Sequence, residues 1–167
     1  GLINPVNAPV RPASIPINWH KENEATVITD PENTNNLLTI FLGMEKDAGE
    51  STWNDFEDDL FQQVVSRLFD ARLQEQMLSA KSPVSYANIN LKGSFLRGYK
   101  TATLFGLVKD DPAASLKMLI AEILKGQQFG FNIDELDRVK KDILREYEKD
   151  LSEKDKRESE RYVSEYV

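Results

Sequence analysis

The sequence predicts an α+β domain, a two-layer α/β sandwich whose mostly antiparallel sheet carries its helices on one face. Three observations point to it. The stretch Thr52–Leu91 reads as a long amphipathic helix that feeds directly into an alternating strand. A second strand-like run follows after a short connection containing Gly93, which marks an antiparallel hairpin. Two more helical patterns, each with its own start signal, come after it. The expected order is strand, strand, helix, two strands, helix, helix, with a helical layer laid on a sheet.

Each element has a local reason. Ala25–Thr29 (ATVIT) is expected to be a short strand, and Asp30-Pro31-Glu32-Asn33 a turn, because Pro presets its backbone angle and Asp and Asn bond back to the chain. Leu37–Leu42 (LLTIFL) is a nearly continuous apolar run and is expected as a buried central strand. In the long helix, Thr52 caps the start, and Asp55, Glu57, Asp58 and Asp59 place negative charge where a helix N-terminus favours it. Phe56, Leu60, Val64 and Leu68, with Phe61, Val65 and Phe69 alongside, form its apolar stripe. The helix is expected to fade by Ser79–Ala80, since Pro83 forbids its continuation. In the strand Val84–Leu91, Ala87, Ile89 and Leu91 take one face and Tyr86, Asn88 and Asn90 the other. Lys92-Gly93-Ser94 then turns into a strand over Tyr99–Val108.

Asp111 as cap and Pro112 in the first turn start the next helix, with Leu116, Leu119, Ile120, Ile123 and Leu124 as its buried stripe. It ends near Gln128, with Gly130 as the stop. Asn132 followed by Glu135 resembles a capping box and opens the last helix, whose stripe is Leu136, Val139, Ile143, Tyr147 and Leu151. Asp134 with Arg138, and Asp137 with Lys141, suit ion pairing on its wet side. From Ser152 to Arg161 the apolar signal vanishes, as on a solvated helical face or a loop, and Tyr162, Val163 and Tyr166 resume it.

Composition bounds the function. With 167 residues, 40% hydrophobic and 29% charged, the chain can bury a core. Residues 1–20, with Pro5, Pro9, Pro12 and Pro16, read as a proline-rich linker, and residues 21–167 as a single α+β domain. Gly1 in place of Met leads us to expect an excised piece of a longer protein. A net charge of −7 speaks against a nucleic-acid partner, which would need clustered Lys and Arg. No apolar run is long enough for a membrane span. Cysteine is absent, which excludes disulfides and thiolate chemistry and chooses no compartment. Composition alone therefore leaves the compartment unknown.

No catalytic constellation emerges. With His20 as the only histidine and no cysteine, no ordinary zinc site can form, so no metal ligand and no cofactor are expected in this chain. No Gly-rich phosphate loop and no G-x-S-x-G elbow occurs. The acid pairs Asp58/Asp59 and Asp110/Asp111 sit at helix starts, where capping and dipole effects account for them. No catalytic residue is expected.

One resemblance spans roughly Ala25 to Val167. The run Leu68–Leu91 resembles the segment of insulinase/pitrilysin-type zinc metallopeptidases in which a helix ends in an R-L-x-E-like motif, here Arg72 to Glu75, and enters a strand through a Pro-containing loop. Asp30-Pro31-Glu32 resembles the D-P-E turn of bacterial members. Gly130-Phe131, Glu135-Leu136 and Lys140 resemble the family's G-F-x-x-x-E-L-x-x-x-K signature. Glu158-Ser159, Tyr162 and Glu165-Tyr166 resemble the motif that follows it. The resemblance implies the mitochondrial-processing-peptidase-like metallohydrolase fold. Because H-x-x-E-H is missing, it implies a non-zinc domain of a bacterial zinc protease, forming part of a chamber wall, with zinc in the catalytic domain of the parent chain. Its partners would be that neighbouring domain and peptide substrates. Another non-zinc domain of the family holds substrate through an Arg and a Tyr. Here Gln74 stands at the Arg position, Pro83-Val84 replaces a Gly-Leu, and Tyr86 matches the Tyr, which favours a scaffold role. Substrate contact, if made, is expected from Tyr86, Asn88 and Asn90. The alternatives are an interaction or assembly subunit on the same fold, and an unrelated α+β binding module.

Overall fold

Six elements follow one another in the computed structural model, which describes residues 22–46, 52–93 and 99–154. They are β1 (Asn36–Lys46), α1 (Trp53–Met77), β2 (Val84–Gly93), β3 (Tyr99–Val108), α2 (Pro112–Phe129) and α3 (Ile133–Ser152). The linker over residues 1–20, His20 within it, and the sequence from 155 onward lie outside the described residues.

The chain divides into two units, Gly1–Asn33 and Thr34–Val167. In the first, the described residues hold no strand, so the expected strand at Ala25–Thr29 is overturned. Val27 and Ile28 are 87% and 89% exposed. β-branched residues fit a pleated surface, but they make a strand only where a neighbour completes the ladder. The turn after them forms as expected, with the Glu32 N–H donating to Asp30 Oδ1 at 2.9 Å.

The second unit carries the α+β architecture. Its sheet runs β1-β3-β2, both pairings antiparallel. The Leu37–Leu42 run is therefore an outer strand of the described sheet, and β3 is the central one. Leu37 and Phe41 are about half exposed, so unbroken apolarity here reports two faces of unequal burial. One face packs on the helices: Leu38 and Ile40 of β1, Leu104 of β3, and Ala87 and Ile89 of β2 meet Phe69 and Leu73 of α1 and Leu119 of α2. Leu104, Leu119 and Val84 are completely buried.

Bulges tune which side chains join that core. Between Val84 and Tyr86, β2 holds one more residue than β3 does between Val108 and Leu107. Strict alternation would put Val84 and Tyr86 on the same face. The extra residue, Ser85, sends Val84 inward and leaves Tyr86 outside. A second extra residue lies in β2 between Asn90 and Gly93, and a third in β1 between Phe41 and Gly43.

Helix α1 packs on two sides. Val65, Phe69, Leu73 and Met77 face the sheet. Leu60, Val64 and Leu68 face Val139 and Ile143 of α3. The expected stripe was thus wide because it serves two neighbours, and its outlier Phe61 is 68% exposed. Start signals work as expected: Thr52 and Asp55 form a capping box, as do Asn132 and Glu135, and Asp111 caps α2 with Pro112 behind it. The stripe of α2 is narrower than expected, with Leu119 buried but Leu116 and Leu124 exposed. Gly130 ends α2 with φ 67°, a left-handed conformation that glycine adopts without a Cβ penalty. A Cβ at Gly126 would lie 2.5 Å from the ring of Phe69.

Leu68→Ala is expected to destabilise the domain by roughly 2–5 kcal/mol, and Phe61→Ala by less than about 1 kcal/mol, in urea unfolding. Equal losses would disprove the two-sided packing of α1. Gly126→Ala should cost roughly 1–2 kcal/mol, because overpacking against Phe69 outweighs the helix propensity gained.

Candidate functional site

The residues expected to touch substrate lie on the sheet face opposite the helices. The register places Tyr86, Asn88 and Asn90 of β2 beside Leu107, Phe105 and Thr103 of β3. Those lie beside Leu37, Thr39 and Phe41 of β1. Tyr86 is 47% exposed, and its ring centroid lies 6.2 Å from that of Phe105. Asn90 is exposed and Asn88 half-buried. The three sequence-derived residues are therefore one column of a three-column surface. The other six could not be found from the sequence, because the order β1-β3-β2 and the bulges decide which residues sit next to them.

Helix α1 fixes β2 through its outer edge. Asp70 Oδ1 accepts from the Ile89 N–H at 2.8 Å, and Ser66 Oγ accepts from the Leu91 N–H at 3.3 Å. Four residues of helix rise about 6.0 Å and two residues of strand about 6.8 Å, so one helical face can serve alternate amides. Burial pushes the Asp70 carboxyl above its ordinary value, and the Ile89 N–H opposes that shift. The next position in the series, Gln74, is exposed. A groove of about 440 Å³ continues from this edge, lined by Phe56, Asp59, Gln63, Arg67, Asn90 and Tyr147. Arg67 in its lining is paired with Glu146, which raises the Arg67 pKa. Asn90 is shared by the groove and the open face.

Four of the residues that carry the family resemblance converge on a second feature. Arg72 donates to Glu135 through Nε at 2.7 Å and Nη2 at 2.9 Å, and to the carbonyl of Gly130 at 3.0 Å. Its guanidinium lies 4.4 Å from the centre of the Phe131 ring, which meets Phe69 edge-on at 5.0 Å. Arg72, Gly130, Phe131 and Glu135 thus form one clamp that joins α1 to the turn after α2 and to the first turn of α3. The hydrogen bonds from Arg72, with the one from the Asn132 N–H, hold Glu135 down from 4.5 to about 2. The clamp is structural chemistry: it offers no nucleophile, base or open coordination site. Among the described residues, no group of three His, Cys, Asp or Glu is placed to hold a metal ion, and no helix is long and apolar enough to cross a membrane.

The Glu135 carboxylate stabilises the folded state fully above about pH 5. That contribution is lost as pH falls through 4.5 toward 2, where the folded form also protonates. Glu135→Gln should cost roughly 1–3 kcal/mol at pH 7 and flatten the loss of stability between pH 5 and 2. An unchanged acid limb in the variant would exclude the clamp as its source. Asp70→Asn keeps an acceptor for Ile89 and should be nearly neutral, whereas Asp70→Ala should cost roughly 1–3 kcal/mol.

No family model and no curated protein sequence matches this chain. Two solved structures do. One is the periplasmic protease PqqL from Escherichia coli, with TM-score 0.71 and 22% identity over 82% of this chain. The other is the first half of the same protease, with the same score and identity. The chain spans 15% of the length of that protease and 29% of its first half. At this identity the likeness shows the fold alone, which recurs within part of a larger protease.

Proposed function

We propose that this chain is a non-catalytic domain of a bacterial insulinase/pitrilysin-type zinc metalloendopeptidase, one that forms part of the wall of the proteolytic chamber. The observation that carries this reading is the Arg72 clamp. Residues that resemble the family's motifs at two separate places in the sequence, Arg72 in one and Gly130, Phe131 and Glu135 in the other, meet in a single interaction. The likeness to part of a periplasmic protease supports it. On this reading, zinc belongs to a catalytic domain elsewhere in the parent chain. That domain is the partner of this one, and the compartment is the periplasm. Tyr86, Asn88 and Asn90 face the chamber and meet peptide there through one phenol and two amides. Gln74, neutral where the family's substrate-holding domain has an Arg, favours a scaffold role in that wall. The second reading is an interaction or assembly subunit on the same fold.

The parent chain decides between them. The first reading expects an H-x-x-E-H in the preceding domain and chelator-sensitive peptide cleavage. In that parent, Tyr86→Ala should raise KM for long peptides by roughly threefold to tenfold and leave zinc content unchanged. Unchanged kinetics in a folded variant would remove Tyr86 from substrate contact, and loss of zinc would show that the domain is placed wrongly against the catalytic one.

A further inference from the structure

Resting on that reading, we infer that the open sheet face takes short, extended, uncharged stretches of peptide and turns away stretches carrying Lys, Arg, Asp or Glu. Three consecutive rows of the register make up this part of the face: Leu37-Leu107-Tyr86, Thr39-Phe105-Asn88 and Phe41-Thr103-Asn90. None of these nine residues is charged, although 29% of the chain is. A carboxylate or ammonium laid over them would lose water and gain no counter-charge from these nine side chains. The hydroxyls of Tyr86, Thr39 and Thr103 and the amides of Asn88 and Asn90 suit the polar groups of a peptide backbone. Leu37, Phe41, Phe105 and Leu107 suit apolar side chains.

Size selects the occupant. At about 3.4 Å per residue and 4.8 Å between strands, the face measures roughly 15 by 15 Å. That is on the order of 250 Å², against about 800 Å² per partner in a stable protein pair. The face is too small to hold a second copy of the chain by itself. It matches an extended peptide of about five residues.

The test titrates the isotope-labelled 167-residue chain with three capped octapeptides, followed by NMR. One contains only Ala, Ser, Thr, Asn, Leu and Phe; the others carry two Lys or two Glu in the middle. The uncharged peptide should shift amides of the nine residues and bind at least about tenfold more tightly than either charged one. Thr39→Lys, at an exposed position, should weaken it about tenfold with an unchanged melting temperature, and Thr39→Val should not. Equal binding of all three peptides at this face would overturn the uncharged class and leave the peptide-facing wall standing. Shifts elsewhere, or none, would overturn both. A dimer by sedimentation that Thr39→Lys dissolves would show that a second copy covers the face, and would overturn the inference.

Discussion

The contact between α1 and β2 is the constraint on which the rest of this domain depends. It is apolar on one side, where Phe69 and Leu73 meet Ala87 and Ile89, and polar at the margin, where Asp70 and Ser66 accept amides of the strand. The apolar part supplies most of the free energy, because burial scales with area. The polar part sets position. Sliding the helix by one residue would turn Asp70 away from Ile89 and leave a desolvated N–H without an acceptor. Helix and strand are thereby locked in register. Once β2 is placed, β3 pairs with it and β1 with β3, so the helix indirectly determines which side chains reach the open face.

Much of the fold could be read from the sequence because the local signals were strong and agreed with one another. Thr52, Asp111 and Asn132 announce helix starts, Gly130 a helix end, and the alternation from Tyr86 to Leu91 a strand with two unlike faces. What could not be read depends on partners distant in sequence. Ala25–Thr29 has strand-forming residues and no ladder among the described residues. Leu37–Leu42 has a central-strand composition and an outer position. Val84 and Tyr86 share a parity and occupy opposite faces, because a bulge between them has no signature beyond an ordinary serine. For the candidate site, one column of three was legible. The neighbouring columns follow from a pairing order that loop lengths do not reveal.

The clamp ties together two stretches of the chain that lie far apart in sequence. An arginine near the end of one helix needs a carboxylate that comes some sixty residues later, and the numbering gives 63 between Arg72 and Glu135. The ring of Phe131 and the carbonyl of Gly130 complete its surroundings. Guanidinium geometry suits this combination, with a planar fork for a carboxylate and a flat face for a ring. A lysine could reproduce the charge and neither of the other two contacts. Such a site holds α1 against the start of α3.

The bulges have a further consequence. All three extra residues lie in the outer strands β1 and β2, while β3 runs without interruption through both pairings. A bulge bends and twists its own strand and leaves its partner straight. The middle strand therefore serves as a ruler, and its neighbours absorb differences in length by curling around it. Natural variants with insertions or deletions of one residue should accumulate beside Leu42, Ser85 and Leu91. They should be scarce in β3, where a single added residue would shift two ladders at once and exchange Leu104 for Phe105 in the core.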